Sequence, residues 1–267
     1  MVTGQRFLMP RENKKNHHDS SLILIGKEGF NYLDNFNSEY ISIDMLPLSI
    51  NEKVNNWIDS TLITNNKIEI IIANNSSLFV PKRLYDDNFK EHYYEKNDKI
   101  EDGDKLISDT TKNHLIEVIY KISNEIELFL NKLKNETKIK HINTFVYNFL
   151  ALYNRGNFKN KLYVNIGLEF FNVFLFFGQE LQLANSYSNE GRESFLYYIF
   201  YIIEKMKLLK NDFTISFLGK YDFYHKFYED TLKFTENVEF ISLKDYKNKY
   251  EINPFIIEIY ENNIRKS

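Results

Sequence analysis

The 267-residue chain contains no cysteine. That absence removes disulfide staples, thiolate catalysis and cysteine-based zinc sites together, and it suits a reducing compartment. Long hydrophobic runs are missing too. No stretch approaches the roughly 18 uninterrupted apolar residues of a membrane span, and Met1 to Ser20 is basic and polar, without the apolar core of an export signal. The expectation is a cytoplasmic protein with no membrane insertion. Nor does charge of one sign prevail: 34 basic and 37 acidic residues are spread along the chain and leave a net −3, so no global field draws it to nucleic acid. GxSxG, Walker, GxGxxG, HExxH and His-x-His patterns are all absent.

What is present is apolar material. Hydrophobic residues make up 43% of the chain, with 23 Phe and 19 Tyr, enough for a packed core and too much for a disordered chain. The length reaches the point where a single core gives way to two lobes.

Met1 to Asp19 has no periodicity and reads as a tail. Ser21 to Ile25 and Phe30 to Leu33, punctuated by Gly26 and Gly29, predict a β-hairpin, and Glu39 to Asp44 a third strand. Ile50, Val54, Trp57, Ile58 and Leu62 have helical spacing behind an N-capping Ser49. Lys67 to Ala73 and Ser77 to Val80 read as strands of another hairpin across Asn74-Asn75-Ser76, and Pro81 opens a helical segment through Tyr93. Asn97 to Asp109 reads as a charged loop. His114 to Ile122 follows as a strand, then helices over Ser123 to Leu133 and Asn143 to Tyr153. The dense basic run Lys132 to Lys140 reads as a solvated helix end rather than an RNA contact. Asn154-Arg155-Gly156-Asn157 breaks the pattern. Beyond it come a meander over Leu162 to Ala184, a helix over Arg192 to Lys210 with Phe195, Ile199, Ile202, Met206 and Leu209 inward, a strand over Phe213 to Leu218, and a helix over Phe223 to Phe234. Val238 to Ile241 and an apolar stretch over Phe255 to Tyr260 finish the chain.

Ile25-Gly26-Lys27-Glu28-Gly29-Phe30-Asn31 matches Ile166-Gly167-Leu168-Glu169-Phe170-Phe171-Asn172 at Ile, Gly, Glu, Phe and Asn, about half a chain apart. Each copy opens a strand meander followed by a helix, so the halves read as two editions of one fold. The division expected is a tail at 1–19, a first lobe at 20–157 and a second at 158–267.

Val164-Asn165-Ile166-Gly167 running through Phe177-Gly178-Gln179-Glu180-Leu181 resembles the second phosphate hairpin of the actin, sugar-kinase and heat-shock-chaperone ATPase superfamily, which includes bacterial cell-division and pilus-assembly actin homologues. From Leu22 to Ile241 the chain is also similar to a bacterial domain-of-unknown-function family with an actin-like fold. Leu78-Phe79-Val80-Pro81, Leu162 to Ile166 and Phe195-Leu196-Tyr197-Tyr198 carry that match. The resemblance implies an α/β protein of two RNase-H-like subdomains, each a mixed sheet with helices, facing a cleft.

In that superfamily an acidic residue on the first strand of each hairpin holds hydrated Mg²⁺, and small residues let backbone N–H groups approach the phosphates. Here the corresponding residues are Leu24 and the neutral Asn165, and Leu168, Glu169, Phe170 and Phe171 follow Gly167. Their bulk and charge are expected to fill and repel the phosphate space, and the adenosine-side glycines shrink to Gly219. Phosphoryl transfer rests on positioning and charge stabilisation, so ATP hydrolysis is not expected. The leading expectation is a non-catalytic interaction or scaffold module that holds a protein partner or its own copy, with no cofactor and no catalytic residue. The alternative is an atypical, kinase-like protein that still binds ATP and magnesium through Gly26, Asn165, Gly167 and Gly219, with carboxylates drawn from Asp34, Asp44, Asp212 or Asp222.

His17-His18, Asp86-Asp87 and Glu101-Asp102-Gly103-Asp104 lack the spacing of metal sites, so no metal is expected. The aromatic runs Tyr197-Tyr198 to Tyr201 and Tyr221 to Tyr228 are core candidates, and any ring left exposed marks a partner surface.

Overall fold

The computed structural model describes residues 20–26, 29–33, 38–42, 52–61, 67–73, 76–167, 170–209, 212–218 and 221–241. In chain order, β1 (Ser20–Ile25), β2 (Gly29–Leu33), β3 (Ser38–Ser42), α1 (Glu52–Thr61) and β4 (Lys67–Ile72) come first. Then follow β5 (Ser77–Pro81), α2 (Lys90–Tyr94), β6 (Lys105–Thr110), β7 (Ile116–Ile122), α3 (Asn124–Lys132), β8 (Glu136–His141) and α4 (Ile142–Tyr153). The remainder is β9 (Asn160–Ile166), β10 (Phe170–Phe177), β11 (Glu180–Ser188), α5 (Arg192–Lys205), β12 (Phe213–Leu218), α6 (Tyr221–Leu232) and β13 (Val238–Ile241).

Two five-stranded sheets share one topology, β3-β2-β1-β4-β8 and β11-β10-β9-β12-β13. In each, an antiparallel meander continues into two parallel strands. The register repeats as well: Ile25 pairs with Phe30 and Leu24 with Asn31, just as Ile166 pairs with Phe171 and Asn165 with Asn172. The duplication read from the sequence is therefore present in the hydrogen-bonded ladders.

The central strands are apolar on both faces because both faces are covered. Ile23, Ile25, Ile68, Ile70 and Ile72 point to one side, under Trp57 of α1 and Ile126 and Phe129 of α3. Leu162, Val164, Ile166, Phe171 and Val173 lie under Phe195, Ile199 and Ile202 of α5, with Phe227 of α6 alongside. The opposite faces meet in one cluster. Leu22, Leu24 and Ile71 from the first sheet and Tyr163, Phe174 and Phe176 from the second close on Phe145, Val146, Tyr147 and Leu150 of α4. Helix α4 is thus the shared filling between the two sheets.

Several elements differ from the sequence reading. Asn74 to Ser76 does not close a hairpin, because β4 lies between parallel β1 and β8 whereas β5 joins a separate sheet, β5-β7-β6. The segment after Pro81 is two short 3-10 turns and the single-turn α2 instead of one helix. The expected loop over 97–109 contains β6, and the basic run at 132–140 runs into β8. Helix α5 ends at Lys205, leaving Leu209 exposed. Ser49, residues 1–19 and residues 255–260 lie outside the described residues.

Candidate functional site

The two hairpin strands present equivalent positions to α4. Leu24 is buried against that helix in the shared apolar cluster, and Asn165 is buried on the same inner face of the second sheet. Neither side chain carries a charge for a hydrated cation. At the second turn the Gly167 N–H donates to the Phe170 carbonyl at 2.8 Å, and a Cβ on Gly167 would lie 3.0 Å from that oxygen. Asn189 Nδ2 donates to the Gly167 carbonyl at 2.8 Å. This backbone amide therefore closes the hairpin instead of facing an anion. Gly26 is described and partly buried, whereas Gly219, Leu168 and Glu169 lie outside the described residues.

The expected aromatic plug does not hold for Phe171. Phe171 alternates to the outer face, where its ring meets Phe195 at 5.0 Å and Tyr187 at 5.4 Å, so its bulk enters the second core and not the space between the sheets. Phe170, one residue earlier in the alternation, is partly buried. Of the carboxylates considered for the nucleotide reading, Asp212 is exposed, Asp34 and Asp44 lie outside the described residues, and Asp222 falls in α6.

A buried polar knot, unread in the sequence, joins the sheets at the start of α4. His141 caps the helix, accepting from the Asn143 amide through Nδ1 at 3.1 Å. Asn143 Nδ2 reaches Ser77 Oγ of β5 at 2.9 Å, Asn172 Oδ1 of β10 at 3.0 Å and Ser186 Oγ of β11 at 3.0 Å. Asp109 of β6 accepts from the His141 amide at 2.7 Å, Thr144 Oγ1 at 2.8 Å and Tyr120 Oη at 2.9 Å. Burial pushes the Asp109 carboxyl above its ordinary value, against the lowering pull of those donors and of Lys140. Tyr120 is pushed up strongly by burial and by the adjoining carboxylate.

A groove of about 1160 Å³ opens elsewhere. It is lined by Phe79 of β5 and Arg83 just after that strand, the β6–β7 turn around Lys112, the second half of α4, and β11 from Glu180 to Ala184. The Gly167 turn and the Gly178-Gln179 turn sit at opposite ends of β10. The β11 lining from Glu180 to Ala184 pairs with Phe177 to Phe174, so the groove begins about four residues, roughly 13 Å, along β10 from the hairpin tip.

The basic run breaks up in three dimensions. Lys140 meets Glu69 at 3.2 Å, Lys67 meets Glu136 at 3.7 Å, and Lys132 bonds Asn55. No group of three metal-ligating side chains occurs among the described residues, and no helix there is long and apolar enough to cross a membrane. The aromatic run at 197–201 splits: Tyr198 stacks on Tyr187 at 4.4 Å, whereas Tyr197 is 63% exposed and, like Tyr201, faces outward.

Against solved structures, the fold is similar to a protein from Bacteroides thetaiotaomicron described as having an actin-like ATPase fold and unknown function. The TM-score is 0.75 with 18% identity, over 92% of this chain and 96% of that one. It is also similar to a chain of the PilM–PilN type IV pilus biogenesis complex, with a TM-score of 0.56 and 10% identity over 85% and 89% of the two chains. These likenesses establish an actin-like fold of two subdomains. No functionally curated protein matches the sequence. Residues 35–238 match the model of the family described as "Protein of unknown function (DUF3822)", and the chain belongs to that family.

Proposed function

We propose that the chain is a non-catalytic, actin-fold interaction module of the cytoplasm, made of lobes at 20–157 and 158–267, that holds a protein partner or its own copy. The observation that carries the reading is the pair Leu24 and Asn165. At the two positions where this fold would hold Mg²⁺, one side chain is part of an apolar cluster and the other is neutral. The Gly167 amide, bonded within its own hairpin, removes a donor that a phosphate would need. Asn143 further ties β5 and α4 to β10 and β11 across the space between the sheets. Partner holding draws support from a fold neighbour that is named for a complex of two proteins.

The test is isothermal titration with ATP and Mg²⁺, paired with a thermal-shift measurement, since a ligand that binds only the folded state must raise the melting temperature. Silence at millimolar ATP is the expected result. Heat together with a rise in melting temperature overturns the reading in favour of an ATP-binding protein using Gly26, Asn165, Gly167 and Gly219.

A further inference from the structure

Strand β11 is an edge of its sheet: among the described residues it pairs only with β10. An edge strand leaves every second backbone N–H and C=O facing outward, ready to pair with another chain. Glu180 to Ala184 line the groove, and the β10–β11 register shifts within this stretch, leaving Gln182 as an extra residue between Leu181 and Leu183. Part of the remaining lining is apolar, with Phe79, Tyr147 and Ala151 and the exposed Leu115 and Leu152.

The charge of the lining runs against that of the chain. Lys82, Arg83, Lys112 and Arg155 line the groove, with Glu180 as the one acidic residue in the lining among the described residues, although the whole chain is net negative. Lys82 is bonded to Glu117, but Arg83 and Arg155 have no acidic partner among the described residues. Burial lowers the Lys112 pKa, with Lys140 and Lys138 adding to the effect and Glu69 opposing it.

We infer that this groove binds a short extended segment of a partner protein, acidic and apolar in alternation, laid along the free edge of β11. The inference rests on the partner-holding reading and gives it a site and a chemistry. Main-chain pairing with β11 would supply affinity. The alternation would set apolar side chains on the Phe79 and Leu181 side and carboxylates beside Arg83, Lys112 and Arg155. The apolar wall and the short run of cations fit this segment better than a phosphate backbone, which needs a continuous basic track.

Short random peptides displayed on phage, selected against the intact protein, test the assignment, with fluorescence anisotropy of the synthesised winner as readout. Winners are expected to alternate acidic residues with Val, Ile or Phe. The double variant Arg83→Glu, Arg155→Glu should weaken the winner about a hundredfold, and a lysine-for-acid version of the peptide should regain binding to that variant. Methylating alternate peptide amides, with the side chains unchanged, should cost at least about tenfold. The assignment is overturned if no peptide is enriched, if winners bind the double variant or tolerate methylation equally well, or if oligouridylate displaces them and binds more tightly. Winners that ignore the groove variants leave partner holding intact while removing this site. The ATP titration decides the underlying reading separately.

Discussion

Asp109 is a buried carboxyl with three hydrogen-bond donors, and its behaviour with pH follows from that. Its folded-state pKa is raised, so the native state binds this proton more tightly than the unfolded chain does. The resulting stability is fully present below the unfolded carboxylate value and is lost as pH climbs through the raised native one. The limiting slope is about 1.4 kcal/mol per unit. Asp109→Asn should keep an acceptor for the His141 amide and Thr144 while removing the ionisation. Urea unfolding of both proteins from pH 4 to pH 7 should show the wild type losing stability relative to the variant as pH rises; parallel curves would mean that burial does not control this group. Asp109→Leu strands three buried donors and should cost about 3 to 5 kcal/mol.

At this scale the hairpin positions were legible and the polar knot was not. Leu24 and Asn165 could be read because a motif fixes where an acid should stand. Asn143, Ser77, Asn172 and Ser186 come from four separate elements, and nothing local in the sequence marks them as neighbours. Phe171 misled for a simpler reason. Alternation along β10 decides which side of the sheet a ring enters, and the register that sets it belongs to β9.

Among elements, the strands most easily read were central and the ones missed were edges. β1, β9 and β10 are apolar on both faces and announce themselves. β6 and β8 are the outer strands of their sheets, and edge strands carry charge to discourage pairing with other chains, so Lys105 to Thr110 looked like a loop and Glu136 to His141 like a helix end. The false hairpin at 74–76 arose because turn residues mark a change of direction without saying which sheet the chain enters next. The turn between β10 and β11 was read correctly, and it gives a test. Gly178 has φ +58°, with the Asn157 carbonyl 3.4 Å from where a Cβ would stand. Gly178→Ala should therefore destabilise by about 1 kcal/mol through the left-handed backbone, measured by chemical denaturation, whereas Gly156→Ala, at φ +76° with open space around it, separates backbone strain from contact. Equal losses at both would assign the cost to backbone alone.

For the whole molecule, duplication poses a question that topology alone leaves open: whether two similar sheets melt as two domains or as one. The shared cluster argues for one. Leu22, Leu24 and Ile71 on one side and Tyr163, Phe174 and Phe176 on the other reach the same face-to-face filling, so neither sheet keeps its inner face covered once α4 leaves. Apolar surface freed on both sides would couple the transitions. The chain offers a convenient reporter, since its single tryptophan, Trp57, packs on Phe30 at 4.8 Å and Tyr32 at 5.1 Å in the first half only. Tryptophan fluorescence and far-ultraviolet circular dichroism should therefore give coincident urea transitions. Leu150, fully buried in α4, sharpens the test: Leu150→Ala should cost about 2 to 5 kcal/mol and move both transitions together. A fluorescence transition that stays in place while the dichroism splits would show the halves unfolding independently, with α4 belonging to the second alone.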